Sequence, residues 1–289
     1  MIKLVVCDLD GTLLRSNQTI ANETIAYIKK IQDNGIRFLI ATGRHHDLAR
    51  AVTDYYNIDC DMINNNGAEI VMSSGVNYSF PMDNALVYQA GKILFEHGYH
   101  TSFHTNVGKF TFLELEEYYR QHVYIAETRR GYKIDNMLNT PLFNKELFIK
   151  NCKTITLDDV MKWEEKGVEV FKIDGRNIDD GELASNGLEL IKNIGLLSVS
   201  SSYEGFVEIN SIETNKGNAL ELYIELLNID KSEVVVFGDN ANDLEMLRDF
   251  PNSYAMANAS ESCKEVAANV AMETNNNDGV YLELKKMFG

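Results

Sequence analysis

The chain has 289 residues, of which 45% are hydrophobic and 24% charged, and its formal net charge is −16. This length suits two modest domains, and the composition is that of an ordinary globular protein. So acidic a chain lacks the basic surface that nucleic acids and acidic membranes bind, and no apolar run approaches the ~20 residues of a membrane-spanning helix. We therefore expect two domains that bind neither nucleic acid nor membrane.

Two further features of the sequence indicate the cellular compartment in which the protein is expected. We expect no signal peptide, because the chain begins directly with an apolar strand. The four cysteines are scattered without the spacing of a zinc site or a disulfide framework, so we expect buried thiols. The predicted protein is cytoplasmic, and the sequence leaves its oligomeric state open.

The first predicted element is a buried strand over residues 4–7 that ends at two aspartates. A continuous apolar run of this kind is typical of a parallel sheet. Asp8 and Asp10 are two residues apart and therefore face the same side of an extended chain. Carboxylates this close repel each other unless a cation or a shared proton compensates them. By itself, the pattern fits an ordinary turn at Gly11 as well as a reactive pair.

A helix and a second strand are predicted next. The helix has a candidate N-cap at Asn22 and a candidate stop at Gly35, and the strand covers residues 36–41. Together with the first strand they form a β-α-β unit.

A short polar turn follows the second strand. Thr42 offers a hydroxyl and Gly43 lets the backbone approach a ligand closely, which suits a phosphate oxygen. By itself, the turn is explained better by a plain strand-to-helix connection. Arg44, His45 and His46 could touch a substrate, but we expect them to be solvated at the start of the next helix.

The chain changes character between about Asp83 and Ser211. Alternating stretches typical of a mixed sheet occur at residues 101–105, 110–115, 168–173, 197–201 and 206–210. Predicted helices over residues 84–96 and 181–194 would cover one face of that sheet. Further helices are expected within residues 118–162.

The α/β alternation returns after this middle section, with a helix over residues 218–227 and a strand over residues 234–237. Lys216 lies just ahead of the helix, where its charge would reach the strand ends, although most lysines are merely solvated. We predict that residues 1–82 and 212–289 build one α/β core and that residues 83–211 form an inserted α/β domain.

The last of these strands ends in an acidic turn. Asp239 and Asp243 are four residues apart with Asn242 between them, so a helix that begins near Asn240 would bring them together. Capping of that helix by Asp239 explains one of these side chains but not all three. A divalent cation explains them better, because Mg²⁺ prefers one or two carboxylates, several waters and a substrate phosphate.

These polar segments, apart from the one at Lys216, lie at the carboxyl ends of predicted parallel strands, where ligands bind in open sheets. They resemble the ordered motifs of the haloacid dehalogenase (HAD) superfamily: DLDGTLL at 8–14, ATGR at 41–44, KG at 216–217 and GDNAND at 238–243. Further stretches resemble its Cof-type phosphatases with an α/β cap, of subclass IIB: NGA at 66–68, AMANA at 255–259 and DGV at 278–280. The resemblance becomes diffuse across the middle section.

The resemblance implies an α/β fold, with a Rossmann-like parallel-sheet core and an inserted α+β cap that sets substrate specificity. It also implies a magnesium-dependent aspartyl-phosphate mechanism. Asp8 would be the nucleophile and a Mg²⁺ ligand, and Asp10 would be the general acid and base, with its backbone carbonyl on the metal. Asp239 would bind Mg²⁺ directly, and Asp243 would bind it or orient its waters.

The same resemblance implies a binding site for the transferring phosphoryl group. Thr42, Gly43 and Lys216 would hold it, and Asn242 would position Lys216 or the phosphate. Residues 211–215 are more polar than the segment that the family often carries there, a departure that concerns the local hinge rather than the lysine.

The predicted function is a phosphatase that hydrolyses small phosphorylated metabolites, with sugar phosphates as the first choice and nucleotides or phosphorylated cofactors as other candidates. The alternatives are a phosphotransferase or mutase on sugar phosphates, a phospho-receiver signalling module, and a silent binder of phosphorylated ligands. A receiver is far shorter and lacks an acid partner like Asp10. Only product analysis separates a phosphatase from a phosphotransferase.

Overall fold

A computed structural model describes residues 1–129, 131–177, 182–200 and 205–289, without the side chains of residues 182–185. The chain divides into two compact units. The first unit comprises Met1–Tyr78, Thr140–Leu142 and Asn215–Gly289, and the second unit comprises Ser79–Asn139 and Phe143–Thr214. All four cysteines are buried thiols, as predicted. None of the helices in the described ranges is long and apolar enough to cross a membrane.

The described strands are, in chain order, β1 (Leu4–Cys7), β2 (Arg37–Ala41), β3 (Asp61–Asn64), β4 (Glu69–Val71), β5 (Asn77–Ser79), β6 (His100–Thr105), β7 (Gly108–Thr111), β8 (Cys152–Thr154), β9 (Val170–Arg176), β10 (Leu197–Ser200), β11 (Phe206–Ser211), β12 (Val234–Gly238), β13 (Asn252–Ala255) and β14 (Asn269–Val270). The described helices are α1 (Asn22–Asp33), α2 (His46–Tyr56), α3 (Asn84–Glu96), α4 (Leu115–Thr128), α5 (Lys145–Ile149), α6 (Leu157–Val160), α7 (Glu182–Lys192), α8 (Lys216–Leu226), α9 (Leu244–Asp249), α10 (Glu261–Val266) and α11 (Gly279–Phe288). Short 3-10 turns cover Asn65–Gly67, Ile134–Asn136, Lys231–Glu233, Ala241–Asp243 and Asn275–Asn277.

The first unit is built on a sheet with the strand order β14-β13-β12-β1-β2-β3-β4-β5. Neighbouring strands from β14 to β3 are parallel, and β4 runs antiparallel to β3. Every residue of β1 is fully buried, so both faces of the sheet are covered there. The chain leaves β1 on one side toward β2 and returns on the other side at β12. The carboxyl ends of these three strands therefore share one edge, at the point where the topology reverses.

The second unit is built on a mixed sheet with the strand order β10-β11-β9-β6-β7-β8. Helix α3 packs on β6 and β9, as predicted, and α7 packs on α3. Alternation along β9 places Ile173 toward the apolar core and Lys172 and Asp174 on the opposite face. These two side chains are buried as well, with Lys172 Nζ 3.0 Å from Asp174 and 2.5 Å from Glu208. The sheet thus has one apolar face and one face with buried charges.

The local predictions agree with most of these bounds. Strand β1 and helix α3 have the predicted ends, and the other predicted strands shift by a few residues. Helix α1 is preceded by Ala21, without a side-chain cap, so the predicted cap at Asn22 is wrong by one position. The predicted helix start at residue 181 and the predicted strand end at residue 201 lie outside the described residues.

Candidate active site

Asp8 lies directly after β1, at the central switch point of the first unit's sheet. Only 4% of the residue is exposed. Its backbone N–H donates to the carbonyl oxygen of Phe237 at 3.0 Å, which joins the ends of β1 and β12. Its carboxylate oxygen Oδ1 accepts a hydrogen bond from Lys216 Nζ at 2.6 Å. The structure thus brings the predicted nucleophile and the predicted phosphate-binding lysine into direct contact.

Lys216 is the first residue of α8, and it is fully buried. The side chain of Asn215 caps the helix by accepting from the backbone N–H of Asn218 at 2.8 Å. Lys216 Nζ donates to Asp243 Oδ1 at 2.7 Å as well as to Asp8. Burial lowers the pKa of Lys216, but Asp243 and Asp8 outweigh it and raise that pKa above its ordinary value. Lys216 is therefore a fixed positive charge.

Three carboxylates meet at this point. Asp8, Asp239 and Asp243 each offer an oxygen within 4.8 Å of the other two. Burial and then the charge of Asp243 raise the pKa of Asp239 to about 7. If all three carboxylates were ionised, one ammonium group would leave two negative charges in a buried place, which is costly without a further cation. This all-oxygen donor set fits a hard divalent ion such as Mg²⁺.

The side chain of Asp239 is held by the turn that follows β1. Thr12 Oγ1 donates to Asp239 Oδ1 at 2.8 Å. Gly11 adopts a left-handed backbone (φ +87°), and a Cβ atom at this position would lie 2.3 Å from Asp239 Oδ2. Only glycine fits there. The sequence motif contains Thr12, but its role is visible only once the turn and Asp239 are seen together.

The turn after β12 orients Asp243. Asp243 Oδ2 accepts from the backbone N–H groups of Asp239 (2.9 Å) and Asn240 (3.1 Å). The N-cap of the short 3-10 turn is Asn240, whose side chain accepts from the N–H of Ala241 at 2.8 Å. The alternative in which Asp239 caps the helix is therefore wrong. The carboxylate of Asp239 lies in the cluster with Asp8 and Asp243.

Asp10, the predicted general acid and base, is held outside the group of three carboxylates. Arg44 contacts both of its oxygens, Nε to Oδ2 at 2.7 Å and Nη2 to Oδ1 at 2.8 Å. Arg44 is 8% exposed, His45 is buried and His46 is half-buried, so the expectation that this segment is solvated is wrong. The physical reason is the ion pair, because a buried guanidinium group needs a charged partner.

Thr42 and Gly43 lie at the same edge of the sheet, in the bend between β2 and α2. The backbone N–H of Thr42 donates to Ile63 O at 2.8 Å, which joins the ends of β2 and β3. Its hydroxyl accepts from the N–H of Arg44 at 3.2 Å. Phosphate binding by Thr42 and Gly43 stays a prediction.

Asn242 is connected to the rest of the edge through the 3-10 turn at Asn65–Gly67. Its Nδ2 donates to Asn66 Oδ1 at 3.0 Å, and the backbone N–H of Asn66 donates to Thr42 O at 3.1 Å. Gly67 packs so closely on Asn215 that a Cβ atom there would lie 2.2 Å from the carbonyl oxygen of Asn215. This turn links the residues that follow β2 and β12 to Asn215, which precedes α8. The sequence shows NGA at 66–68 but not this role.

The family model of the haloacid dehalogenase-like hydrolases matches residues 5–284. A Mycoplasma genitalium protein provisionally named a phosphatase is 28% identical over 291 residues, which cover 99% of this chain and 98% of its own length. The 5-amino-6-(5-phospho-D-ribitylamino)uracil phosphatase of Bacillus subtilis is 25% identical over 279 residues, 96% of this chain and 93% of its own. A solved haloacid dehalogenase-like hydrolase from B. subtilis shares the fold with a TM-score of 0.86 at 24% identity, over 99% of this chain and 100% of that one.

The family match extends far beyond the short motifs, because it includes both halves of the parallel sheet and the segment between them. The predicted α/β fold class, with a parallel-sheet core and an inserted α+β segment, is confirmed. The chain belongs to the haloacid dehalogenase-like hydrolases.

Proposed function

We propose that the chain is a Mg²⁺-dependent phosphatase that hydrolyses small phosphorylated metabolites, sugar phosphates first among them, through an aspartyl phosphate on Asp8. The observation that carries this proposal is the buried contact of Asp8 with Lys216, beside Asp239 and Asp243. Such a group combines a carboxylate nucleophile with the positive charge that a phosphate ester requires. The phosphatase names of the two relatives support the same reaction class.

In the first half of the proposed reaction, Asp8 attacks the phosphorus atom and the bond to the leaving oxygen breaks. A phosphate ester resists attack because its oxygens repel an anionic nucleophile, so charge neutralisation and alignment dominate catalysis. Lys216 stabilises the transferring group and keeps Asp8 aligned. A bound Mg²⁺ ion, held by Asp8, Asp239 and Asp243 together with the Asp10 carbonyl oxygen, would supply further neutralisation of the phosphoryl oxygens.

Asp10 is the proposed acid and base. The departing alkoxide takes a proton in the first half, and the water that cleaves the aspartyl phosphate loses one in the second half. One carboxyl group two residues from the nucleophile serves both needs. We further propose that Thr42, Gly43 and Asn242 bind the phosphoryl oxygens, since Thr42 and Gly43 follow β2 at the shared edge and Asn242 is tied to that edge through Asn66.

The second unit is proposed to select the leaving group. Its residues are inserted in the sequence between the two main segments of the first unit, which corresponds to the cap proposed for residues 83–211. The ribityl phosphate in the name of the B. subtilis relative supports a polyol or sugar phosphate as the substrate class.

The test is a phosphate-release assay across sugar phosphates, nucleotides and phosphorylated cofactors, with Mg²⁺ or with EDTA. Wild-type protein should release phosphate only with Mg²⁺, and Asp8→Asn should abolish release while its thermal melt stays cooperative. Full activity of Asp8→Asn would rule out the mechanism. Transfer of the phosphoryl group to an added sugar, seen by product analysis, would replace the phosphatase with a phosphotransferase. A long-lived phosphoprotein without phosphate release would favour a receiver.

A further inference from the structure

Asp10, Arg44 and Gln18 form a closed triangle of side chains. Arg44 contacts both carboxylate oxygens of Asp10, and its Nη2 also donates to Gln18 Oε1 at 2.6 Å. Gln18 Nε2 completes the triangle by donating to Asp10 Oδ1 at 3.3 Å. A two-pronged arginine contact fixes the plane of a carboxylate as well as its position. Asp10 therefore has one defined orientation in this structure.

The two partners of Asp10 are more deeply buried than Asp10 itself. Arg44 and Gln18 are 8% and 3% exposed, whereas the side chain of Asp10 is 28% exposed. Gln18 has a left-handed backbone (φ 62°), which residues other than glycine seldom adopt. Such a conformation persists only where the surroundings impose it, and it is found often at functional sites. Gln18 is thus a buried support rather than an exposed surface residue.

The orientation suits a proton acceptor. A carboxylate that receives two hydrogen bonds from one guanidinium group is ionised in that arrangement, and the ionised form is the one that can take a proton. In the proposed second half-reaction, water attacks the phosphorus atom of the aspartyl phosphate, its proton passes to Asp10, the bond from phosphorus to the Asp8 oxygen breaks, and inorganic phosphate leaves. That step needs an accepting carboxylate held in a constant direction.

We propose that Arg44 and Gln18 are positioning residues that hold Asp10 in the orientation in which it accepts the proton of the hydrolytic water. This inference rests on the proposed function, because it assigns Asp10 its role in breakdown of the aspartyl phosphate. It adds two residues for which the sequence pattern indicated no such role, Arg44 being expected in solvent and Gln18 lying outside the motifs.

The experiment separates the two half-reactions with p-nitrophenyl phosphate in a rapid-mixing instrument. Its leaving group needs no proton, so the initial burst of p-nitrophenol reports attack by Asp8, and the linear phase that follows reports breakdown of the aspartyl phosphate. In Arg44→Met the burst should approach one product per active site, while the linear phase slows at least about tenfold, since a positioned base contributes 10²–10⁴-fold. Arg44→Lys should behave likewise because it keeps the charge but loses the two-pronged contact.

Three further variants complete the experiment. Arg50→Met removes a half-buried arginine of α2 and should leave both phases unchanged. Gln18→Leu should slow the linear phase by a smaller factor and gives a second route if Arg44→Met does not fold. Adding Arg44→Met to the Asp10→Asn protein should cause no further loss of the linear-phase rate, since a positioning residue acts through its partner.

The outcomes that overturn the inference differ from those that overturn the proposed function. Normal linear-phase rates in Arg44→Met, an equal slowing of both phases, restoration by Arg44→Lys, or an additive loss in the double variant would each refute positioning by Arg44. A wild-type protein that releases no phosphate, or an active Asp8→Asn protein, would instead refute the phosphatase mechanism on which the inference rests.

Discussion

Lys216 Nζ lies 2.6 Å from Asp8 Oδ1, although the two residues are 208 positions apart in the chain. The same ammonium group is 2.7 Å from Asp243, and Lys216 has no exposed surface. Such a buried ion pair is positioned by the fold. It joins the start of α8 to the ends of β1 and β12, so the electrostatics of the site and the stability of the first unit depend on each other.

Removal of the Lys216 charge should destabilise the protein strongly. Lys216→Met would leave the carboxylates of Asp8 and Asp243 buried without their cation, which costs about 3–5 kcal/mol in comparable cases. Urea unfolding of the metal-free protein measures this loss. Lys231→Met is the matched control, because the Lys231–Glu221 pair is 43% and 46% exposed and should cost less than about 1 kcal/mol. Equal losses in both variants would contradict the importance of the buried pair.

A methyl group at position 11 should disturb the site through Asp239. Gly11→Ala places a Cβ atom 2.3 Å from Asp239 Oδ2 at a left-handed backbone position, so both strain and displacement of Asp239 are expected. Gly35→Ala has the same type of backbone (φ +82°) with nothing within 4 Å, and it isolates the backbone strain. We expect Gly11→Ala to abolish the thermal stabilisation by Mg²⁺ and Gly35→Ala to retain it. Retention in both variants would show that Asp239 is not needed for Mg²⁺.

The hydroxyl of Thr12 should influence the affinity for metal. Thr12→Val keeps the shape of the side chain but removes its hydrogen bond to Asp239 Oδ1. Loss of a group that orients a metal ligand typically weakens binding by about 10–100-fold. Isothermal titration with Mg²⁺ measures the change, and Thr19→Val serves as the control because the Thr19 hydroxyl donates to nearby Asn17 Oδ1 and not to a residue of the carboxylate cluster. An unchanged dissociation constant in Thr12→Val would rule out this role.

The stability of the metal-free protein should fall as the pH rises from about 4 to about 7. Asp239 has a pKa of about 7 in the folded protein against an ordinary value of 3.8. Below that window the carboxyl group is protonated in both states. Between the two pKa values the unfolded chain loses the proton while the folded protein keeps it. Ionisation therefore stabilises the unfolded state relative to the folded state, by up to about 4 kcal/mol at neutral pH. Mg²⁺ should reverse the loss because it binds the ionised form.

Asp239→Asn is the variant that isolates this effect. It removes the titrating group, so urea unfolding in EDTA at a series of pH values should show a shallower decline than in the wild type. Groups distant from Asp239 titrate alike in both proteins and cancel in the difference. Parallel curves for the two proteins would show that Asp239 retains an ordinary pKa.

Much of the secondary structure was predictable from the sequence because it depends on residues that are neighbours in the chain. The apolar run of β1 and the periodicity of α3 define both elements to the residue. The ends of β9 were less predictable, since the alternation over residues 168–173 shows neither that the strand continues to Arg176 nor that Lys172 and Asp174 form a buried charged face. Packing in the second unit decides where those charges are compensated.

The sequence by itself predicted that Asp8, Asp239 and Asp243 would gather, because parallel strands in one sheet direct their carboxyl ends to one edge. Lys216 was placed with them by the family resemblance, since it lies ahead of a helix and not at a strand end. Only the tertiary structure decided how the polar groups at that edge pair. Arg44 is buried against Asp10 rather than solvated, and Thr12 holds Asp239, because the preferred state of a polar side chain depends on burial and on partners distant in the chain. Periodicity and spacing carry no record of such partners, so the contacts that orient Asp10 and Asp239 emerge only when the sheet is assembled.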